Sequence, residues 1–164
     1  MLKAAIVGLG RWGRRLVDSV QTNGEPKGVK IRFTRAVHRT PELARDYAAV
    51  QRLALGEDLA AALGDPAIDA IAFATPQYQH ARQVETAALA GKHVFVEKPF
   101  ALTRANAEAA AAIDDVRAEL EAFADAIASV RPYPLAPADA VRGVAVLEAA
   151  LRSAASGGGN VAIP

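Results

Sequence analysis

The chain contains no cysteine. That excludes disulfides, thiolate zinc sites and cysteine nucleophiles, and no metal site is expected from what remains. Aromatic residues are scarce at 5%, so the 52% hydrophobic content rests largely on alanine-rich stretches that read as helices. Neither sign of charge dominates. The formal net charge is +1, and nothing suggests a general nucleic-acid or membrane surface. No apolar run approaches the roughly 20 residues of a membrane-spanning helix. Met1-Leu2-Lys3 leads straight into a strand pattern, without the features of a secretory leader. These absences predict a cytoplasmic protein, and 164 residues suffice for one domain with a buried core.

What is present begins with Ala4-Ala5-Ile6-Val7, a short apolar run that fits a strand covered on both faces. Behind it, Gly8, Gly10 and Gly13 match the G-x-G-x-x-G fingerprint of dinucleotide-binding turns. In that motif the first glycine allows the tight turn and the second lets the backbone approach a pyrophosphate. The third lets the helix pack close to the strand. Amide groups at the helix start then face the phosphates, where the dipole favours negative charge. Arg11 and Trp12 lie inside the turn and join the candidate cofactor contacts. An ordinary glycine-rich strand–helix turn has the same spacing. Its place behind the first strand of a βαβ pattern favours the dinucleotide reading.

Strand and helix alternate along the chain, which predicts an α/β fold with a doubly wound parallel sheet. A helix runs from Trp12 to about Thr22, and Asn23 to Gly28 turns the chain. Val29 to Val37 alternates apolar and polar residues as a second strand. Pro41 opens a helix to about Val50. Leu53–Leu55 reads as a short strand, followed by a short helix over Asp58–Leu63. Ala70–Ala74 reads as a buried strand, then comes a helix from Gln79 to Ala90. His93–Val96 is the next strand, and Thr103 caps a helix from Arg104.

The end of the second strand bears on cofactor choice. An acidic residue there would bond the ribose 2′-hydroxyl of NAD. Here the strand ends Ala36-Val37-His38-Arg39-Thr40 with no carboxylate. Arg39 can meet a 2′-phosphate, and His38 and Thr40 can donate hydrogen bonds to it. The composition of this stretch favours NADP over NAD, unless His38 and Arg39 are simply solvated strand-end residues.

Two further stretches, Ala74-Thr75-Pro76-Gln77-Tyr78-Gln79-His80 and Ala90-Gly91-Lys92-His93-Val94-Phe95-Val96-Glu97-Lys98-Pro99, carry a resemblance. Together with the glycine turn they resemble the Gfo/Idh/MocA oxidoreductases (glucose-fructose oxidoreductase, inositol dehydrogenase, rhizopine catabolism) over Met1 to about Ile113. The resemblance implies that these loops line a nicotinamide dinucleotide. Ala74, Thr75, Pro76, His80, Glu97, Lys98 and Pro99 join the cofactor contacts. It also implies that Lys98 polarises or protonates a substrate oxygen during hydride transfer, a task suited to a lysine whose pKa is lowered by its surroundings. His80 either bonds the cofactor or finishes a helix terminus, and both readings stay open.

Full-length proteins of this kind carry a further strand and a large antiparallel sheet domain that holds the substrate. From Asp114 on, this sequence instead resembles the family's C-terminal helices. Val116, Leu120, Phe123, Ile127 and Val130 recur at helical spacing, and Val141, Val144, Leu147 and Leu151 line one face of a helix from Pro137 to about Ser153. The expected organisation is a dinucleotide domain over 1–113, C-terminal helices over 114–156 and a flexible tail over 157–164. The helices either pack on the domain or form a dimer contact. The tail either fills an open sheet edge or frays. On this reading the substrate domain is excised and its ends rejoin near Ile113-Asp114, by deletion or design. A 27-residue helix from Arg104 to Val130 is one outcome of that junction, and a new helix capped by Asp114-Asp115 is the other. Three functions remain: an NADP(H)-dependent oxidoreductase of sugar-like substrates with little or no turnover, a non-catalytic dinucleotide-binding module, or a dimerising scaffold. Adenosylmethionine enzymes also use glycine-rich turns, but the Thr75-Pro76 and Glu97-Lys98-Pro99 elements argue against them.

Overall fold

A computed structural model describes residues 1–97, 115–134 and 136–163. The chain divides into two compact units, Met1–Arg131 and Pro132–Pro164. In the first unit β1 (Leu2–Val7) leads into α1 (Arg11–Val20). A hairpin of β2 (Gln21–Thr22) and β3 (Glu25–Pro26) follows. Next come β4 (Ile31–Val37), a 3-10 turn over Pro41–Leu43, α2 (Arg45–Val50), β5 (Ala54–Gly56) and α3 (Leu59–Leu63). The unit continues through β6 (Ala70–Phe73), a second 3-10 turn over Gln77–Gln79, α4 (His80–Leu89), β7 (His93–Val96) and α5 (Asp115–Ile127).

Five strands form one parallel sheet in the order β5-β4-β1-β6-β7. The chain winds outward from β1 through β4 to β5, then crosses to β6 and β7 on the other side. The switch in direction therefore falls between β1 and β6, the place where open α/β sheets bind ligands. Because β1 is covered on both faces, its run has no polar alternation: Ala4 and Ile6 face one core and Ala5 and Val7 the other. The first core is closed by Leu16, Val17 and Val20 of α1 and by Leu120 and Ala124 of α5. The second is closed by Ala62 and Leu63 of α3 and Ala87 of α4. Phe123 of α5 meets Phe95 of β7 edge to face, with ring centroids 5.8 Å apart.

Several boundaries differ from the sequence expectation, each for a local reason. The first helix stops at Val20 because Gln21 and Thr22 leave it to pair with Glu25 and Pro26 around the Asn23-Gly24 turn. The second strand begins at Ile31, not Val29, whose side chain is 80% exposed. Its pairing with β1 shifts by one residue: Ala4 faces Phe33, but Ala5 faces Arg35. This bulge at Thr34 reverses the strand's alternation, so that Ala36 joins Ile31 and Phe33 in the first core while Val37 enters the second. The stretch after Pro41 is a 3-10 turn followed by a short α-helix, not one continuous helix.

The spacing predicted for α5 is realised in Leu120, which is fully buried, and in Phe123 and Ile127, which pack beside it. Val130 lies past the helix end and is exposed. Asp125, near the end of α5, accepts from Lys30 Nζ at 3.0 Å and pairs with Arg131 Nη2 at 2.9 Å. The Lys30 hydrogen bond holds its carboxyl below the ordinary carboxylate value. The cap expected at Thr103 and the Ile113-Asp114 junction, whether a fused helix or a new one capped by Asp114-Asp115, lie outside the described residues.

The second unit holds α6 (Pro137–Ala155) with proline at its start. The face carrying Val141, Val144, Leu147 and Leu151 is exposed. Beyond it the tail turns back along the helix: Ser153 Oγ donates to Gly159 O at 2.6 Å and Arg152 Nη2 to Ala162 O at 3.3 Å. Residues 157–163 form no strand. Among the described residues no helix is long and apolar enough to cross a membrane.

Candidate functional site

The sheet register brings the candidate residues to one edge. Val7 pairs with Val37 and with Phe73, and Phe73 pairs with Val96. Gly8, His38, Ala74 and Glu97 are each the next residue in the chain, so all four leave the carboxyl ends of neighbouring strands on one level. Hydrogen bonds carry the row past the strands. Gly8 N donates to Val37 O at 2.8 Å, Ala74 N to Val7 O at 2.9 Å and Glu97 N to Phe73 O at 3.0 Å.

The three glycines occupy different environments. Gly8 has φ +94, and a Cβ there would stand 2.7 Å from Ala74 O. Only glycine accepts both the left-handed backbone and the contact. A Cβ on Gly13 would stand 1.8 Å from Gly8 O. Gly10, by contrast, has nothing within 4 Å of where a Cβ would project. It caps α1 with extended backbone, and the first turn of that helix holds no acidic residue to offset the dipole. The turn therefore presents an open cradle of helix-start amides, which fits a diphosphate. Arg11 is exposed beside it. Trp12 is partly exposed, with the guanidinium carbons of Arg11 and Arg15 5.9 and 5.7 Å from its ring centre.

At the end of β4, His38 N donates to Gly56 O at 2.9 Å, and Thr40 N donates to His38 Nδ1 at 3.1 Å. The ring nitrogen that accepts cannot also donate, which leaves Nε2 of His38 and the hydroxyl of Thr40 as the donors a ligand here could meet. Arg39 is exposed and forms no ion pair among the described residues.

After β6, the Thr75-Pro76 loop is braced by its own helix. His80 Nε2 donates to Thr75 O at 2.8 Å, Thr75 Oγ1 donates to Gln83 Oε1 at 2.5 Å, and Gln83 Nε2 donates to Gln79 Oε1 at 3.2 Å. Of the two readings of His80, the geometry puts its ring against the loop at the start of α4. An open groove of about 580 Å³ lies between α3 and α4, bounded by Leu59, Leu63, Tyr78 and Arg82. The candidate catalytic residue Lys98 and the following Pro99 lie outside the described residues. His93 starts β7 and is exposed.

Sequence reasoning missed the support beneath the site. Arg14 Nε donates to Leu9 O and Nη2 to Leu43 O, each at 3.2 Å, while its guanidinium carbon lies 4.9 Å from the centre of the Tyr47 ring. The Tyr47 hydroxyl has Asp18 Oδ1 at 2.7 Å and Arg14 O at 3.0 Å, and Gln51 Nε2 donates to the same Asp18 oxygen at 2.8 Å. Burial first, and then the hydrogen bond to Asp18, push the Tyr47 phenol above its ordinary pKa, so it stays protonated. Lys92 is likewise structural: its Nζ donates to Asp65 O and Ile68 O, both at 2.8 Å.

Comparison with known proteins agrees with this geometry. Residues 2–121 match the profile of the GFO_IDH_MocA family, described as an oxidoreductase family with an NAD-binding Rossmann fold. The chain is 34% identical over 108 residues to 4-carboxy-2-hydroxymuconate-6-semialdehyde dehydrogenase of Sphingobium sp., a match that covers 66% of this chain and 33% of the relative. Scyllo-inositol dehydrogenase from Lactobacillus casei superposes with a TM-score of 0.54 at 28% identity, covering 73% of this chain and 34% of that one. A variant of KijD10, a 3-ketoreductase from Actinomadura kijaniata in complex with TDP-benzene and NADP, superposes with a TM-score of 0.51 at 26% identity, covering 71% and 34%. These matches span about a third of each relative's length. The chain thus belongs to the Gfo/Idh/MocA oxidoreductase family, with that family's NAD-binding Rossmann fold.

Proposed function

We propose that the chain is an NADP(H)-binding domain of a Gfo/Idh/MocA-type oxidoreductase. The observation that carries this reading is the open cradle at Gly10, set between a Gly8 that touches Ala74 and a Gly13 that touches Gly8. The helix-start amides of α1 would hold the diphosphate. Arg39, His38 Nε2 and the Thr40 hydroxyl would receive a ribose 2′-phosphate, which favours NADP over NAD. The Thr75-Pro76 loop, kept in place by His80, would border the nicotinamide end with Glu97. When bound, the nicotinamide supplies or accepts hydride. In the whole protein Lys98, next after Glu97 in the sequence, would hold or move a proton at the substrate oxygen of a sugar-like alcohol or carbonyl. The chain spans only about a third of its relatives' length, and we expect little or no turnover from it alone, as from a form shortened by deletion or design.

Fluorescence titration with NADPH, and with NADH beside it, tests the reading. Saturable binding with NADPH the tighter ligand supports it. Tighter NADH binding overturns the NADP assignment, and binding of neither overturns the whole.

A second reading, a dimerising scaffold, is favoured by one observation: Val141, Val144, Leu147 and Leu151 are exposed along α6. Light scattering behind a sizing column tests it, since the monomer mass is 17.1 kDa. A monomer at every concentration would reject it.

A further inference from the structure

We infer that Arg14 is the positioning residue that sets the distance between the two ends of the dinucleotide site. The inference rests on the dinucleotide reading above and concerns a residue that touches neither phosphate nor ribose in it. Arg14 sits in the first turn of α1, one residue past the last glycine of the fingerprint. Its guanidinium donates in two directions: Nε to the carbonyl of Leu9, inside the glycine turn, and Nη2 to the carbonyl of Leu43, at the end of the turn that follows His38-Arg39-Thr40. One rigid planar group therefore ties the loop that would hold the diphosphate to the segment behind the one that would hold the adenosine ribose.

Among the described residues no other side chain bonds either of these two carbonyls, and the tie is itself held from below. The guanidinium stacks on Tyr47, and the Tyr47 hydroxyl reaches Arg14 O and Asp18 Oδ1, which also accepts from Gln51. Tyr47 and Gln51 belong to α2 and the residue after it, so α1 and the β4–β5 connection are fastened at several points. A planar guanidinium makes the two bonds from separate nitrogens in a fixed geometry while stacked on a ring; a lysine must make both from one nitrogen on a flexible stem and holds the separation less rigidly. A ligand that spans both loops benefits from their fixed separation, because its second contact is made at high effective concentration. A fragment that occupies one loop gains nothing from it.

The test is Arg14→Lys, which keeps the positive charge and the helix propensity, measured with NADPH and with adenosine 2′-monophosphate. The expected result is an NADPH dissociation constant raised about tenfold, with that of adenosine 2′-monophosphate unchanged within about twofold. Tyr47→Phe, which keeps the ring and removes the hydroxyl, should shift NADPH in the same direction by a smaller factor. Thermal melting of both variants reports folding, and binding of the fragment at the wild-type value confirms that the ribose end is intact. Wild-type affinity for NADPH in Arg14→Lys would overturn the inference. Equal weakening of NADPH and the fragment would overturn it too, because the residue would then act on one loop or on the fold as a whole. If the wild type binds NADH and not NADPH, the same comparison is made with NADH and adenosine 5′-monophosphate. A wild type that binds neither dinucleotide defeats the dinucleotide reading and this inference with it.

Discussion

A Cβ on Gly13 would stand 1.8 Å from the carbonyl oxygen of Gly8, while one on Gly10 would meet nothing within 4 Å. The two glycines therefore differ in their surroundings: the protein itself excludes a side chain at Gly13, while Gly10 faces open space. Gly13→Ala should destabilise the fold by about 1–3 kcal/mol, the usual cost of overpacking, seen as a lower urea midpoint without ligand. Gly10→Ala should lower stability by less than about 1 kcal/mol, because its backbone suits any residue and only the cap preference is lost. NADPH binding should nevertheless weaken more than about tenfold in Gly10→Ala. A Gly10→Ala protein that binds NADPH normally would show that no phosphate approaches that turn.

Cofactor selectivity is expected to reside in Arg39. Its guanidinium is exposed and forms no ion pair among the described residues, so its removal leaves no partner stranded. Arg39→Ala should weaken NADPH by about tenfold or more, the worth of one charged hydrogen bond. NADH should bind as before. Paired titrations of wild type and variant read the ratio directly, and an unchanged ratio would make Arg39 a solvated strand-end residue.

The Asp125 carboxylate sits between Lys30 and Arg131, and the Lys30 bond lowers its pKa in the folded state. A depressed carboxylate pKa stabilises the fold above the unfolded value of about 3.9, and that contribution is lost as pH falls through the folded value. Asp125→Asn should therefore be less stable than wild type from pH 5 to neutrality. The gap should begin to narrow as the pH falls below the unfolded value of about 3.9 and close only below the lowered folded value, where wild-type Asp125 is protonated as well. Urea midpoints across that range check the prediction; a gap independent of pH would assign the loss to packing.

Much of this architecture was legible in the chain because each site segment follows an apolar run. Ala4–Val7, Ala70–Phe73 and His93–Val96 end where Gly8, Ala74 and Glu97 begin, and strand ends in a parallel sheet share an edge by register. The bulge at Thr34 had no such signal; separately, simple alternation placed Val29 in the strand, although pairing with β1 begins only at Ile31 opposite Leu2. Arg14 was equally hidden. Its partners Leu43 and Tyr47 are 29 and 33 residues away, and an arginine in a basic stretch reads as a solvated residue until the fold sets a tyrosine beneath it.

Gln21 shows the same limit in the core and supports a further prediction. It is fully buried at the junction of α1 and β2. Its Oε1 accepts from Phe33 N at 2.9 Å, and its Nε2 donates to Gln51 O at 3.1 Å. β5 pairs only with Arg35–Val37, so it does not reach Phe33 on the outer side of β4. The glutamine stands in for the missing strand and satisfies a backbone amide that would otherwise be buried without a partner. Gln21→Leu fills similar space but leaves both the Phe33 amide and the Gln51 carbonyl unpaired, at about 1–3 kcal/mol for each. Urea unfolding should show that loss, and amide exchange at Phe33 should accelerate relative to Ile6 in the neighbouring central strand. NADPH affinity should change less than in Arg14→Lys, since Gln21 reaches the Arg14–Tyr47 support only through Gln51. If stability were unchanged, water or a shifted backbone must reach the Phe33 amide, and the outer side of β4 would be open at that point.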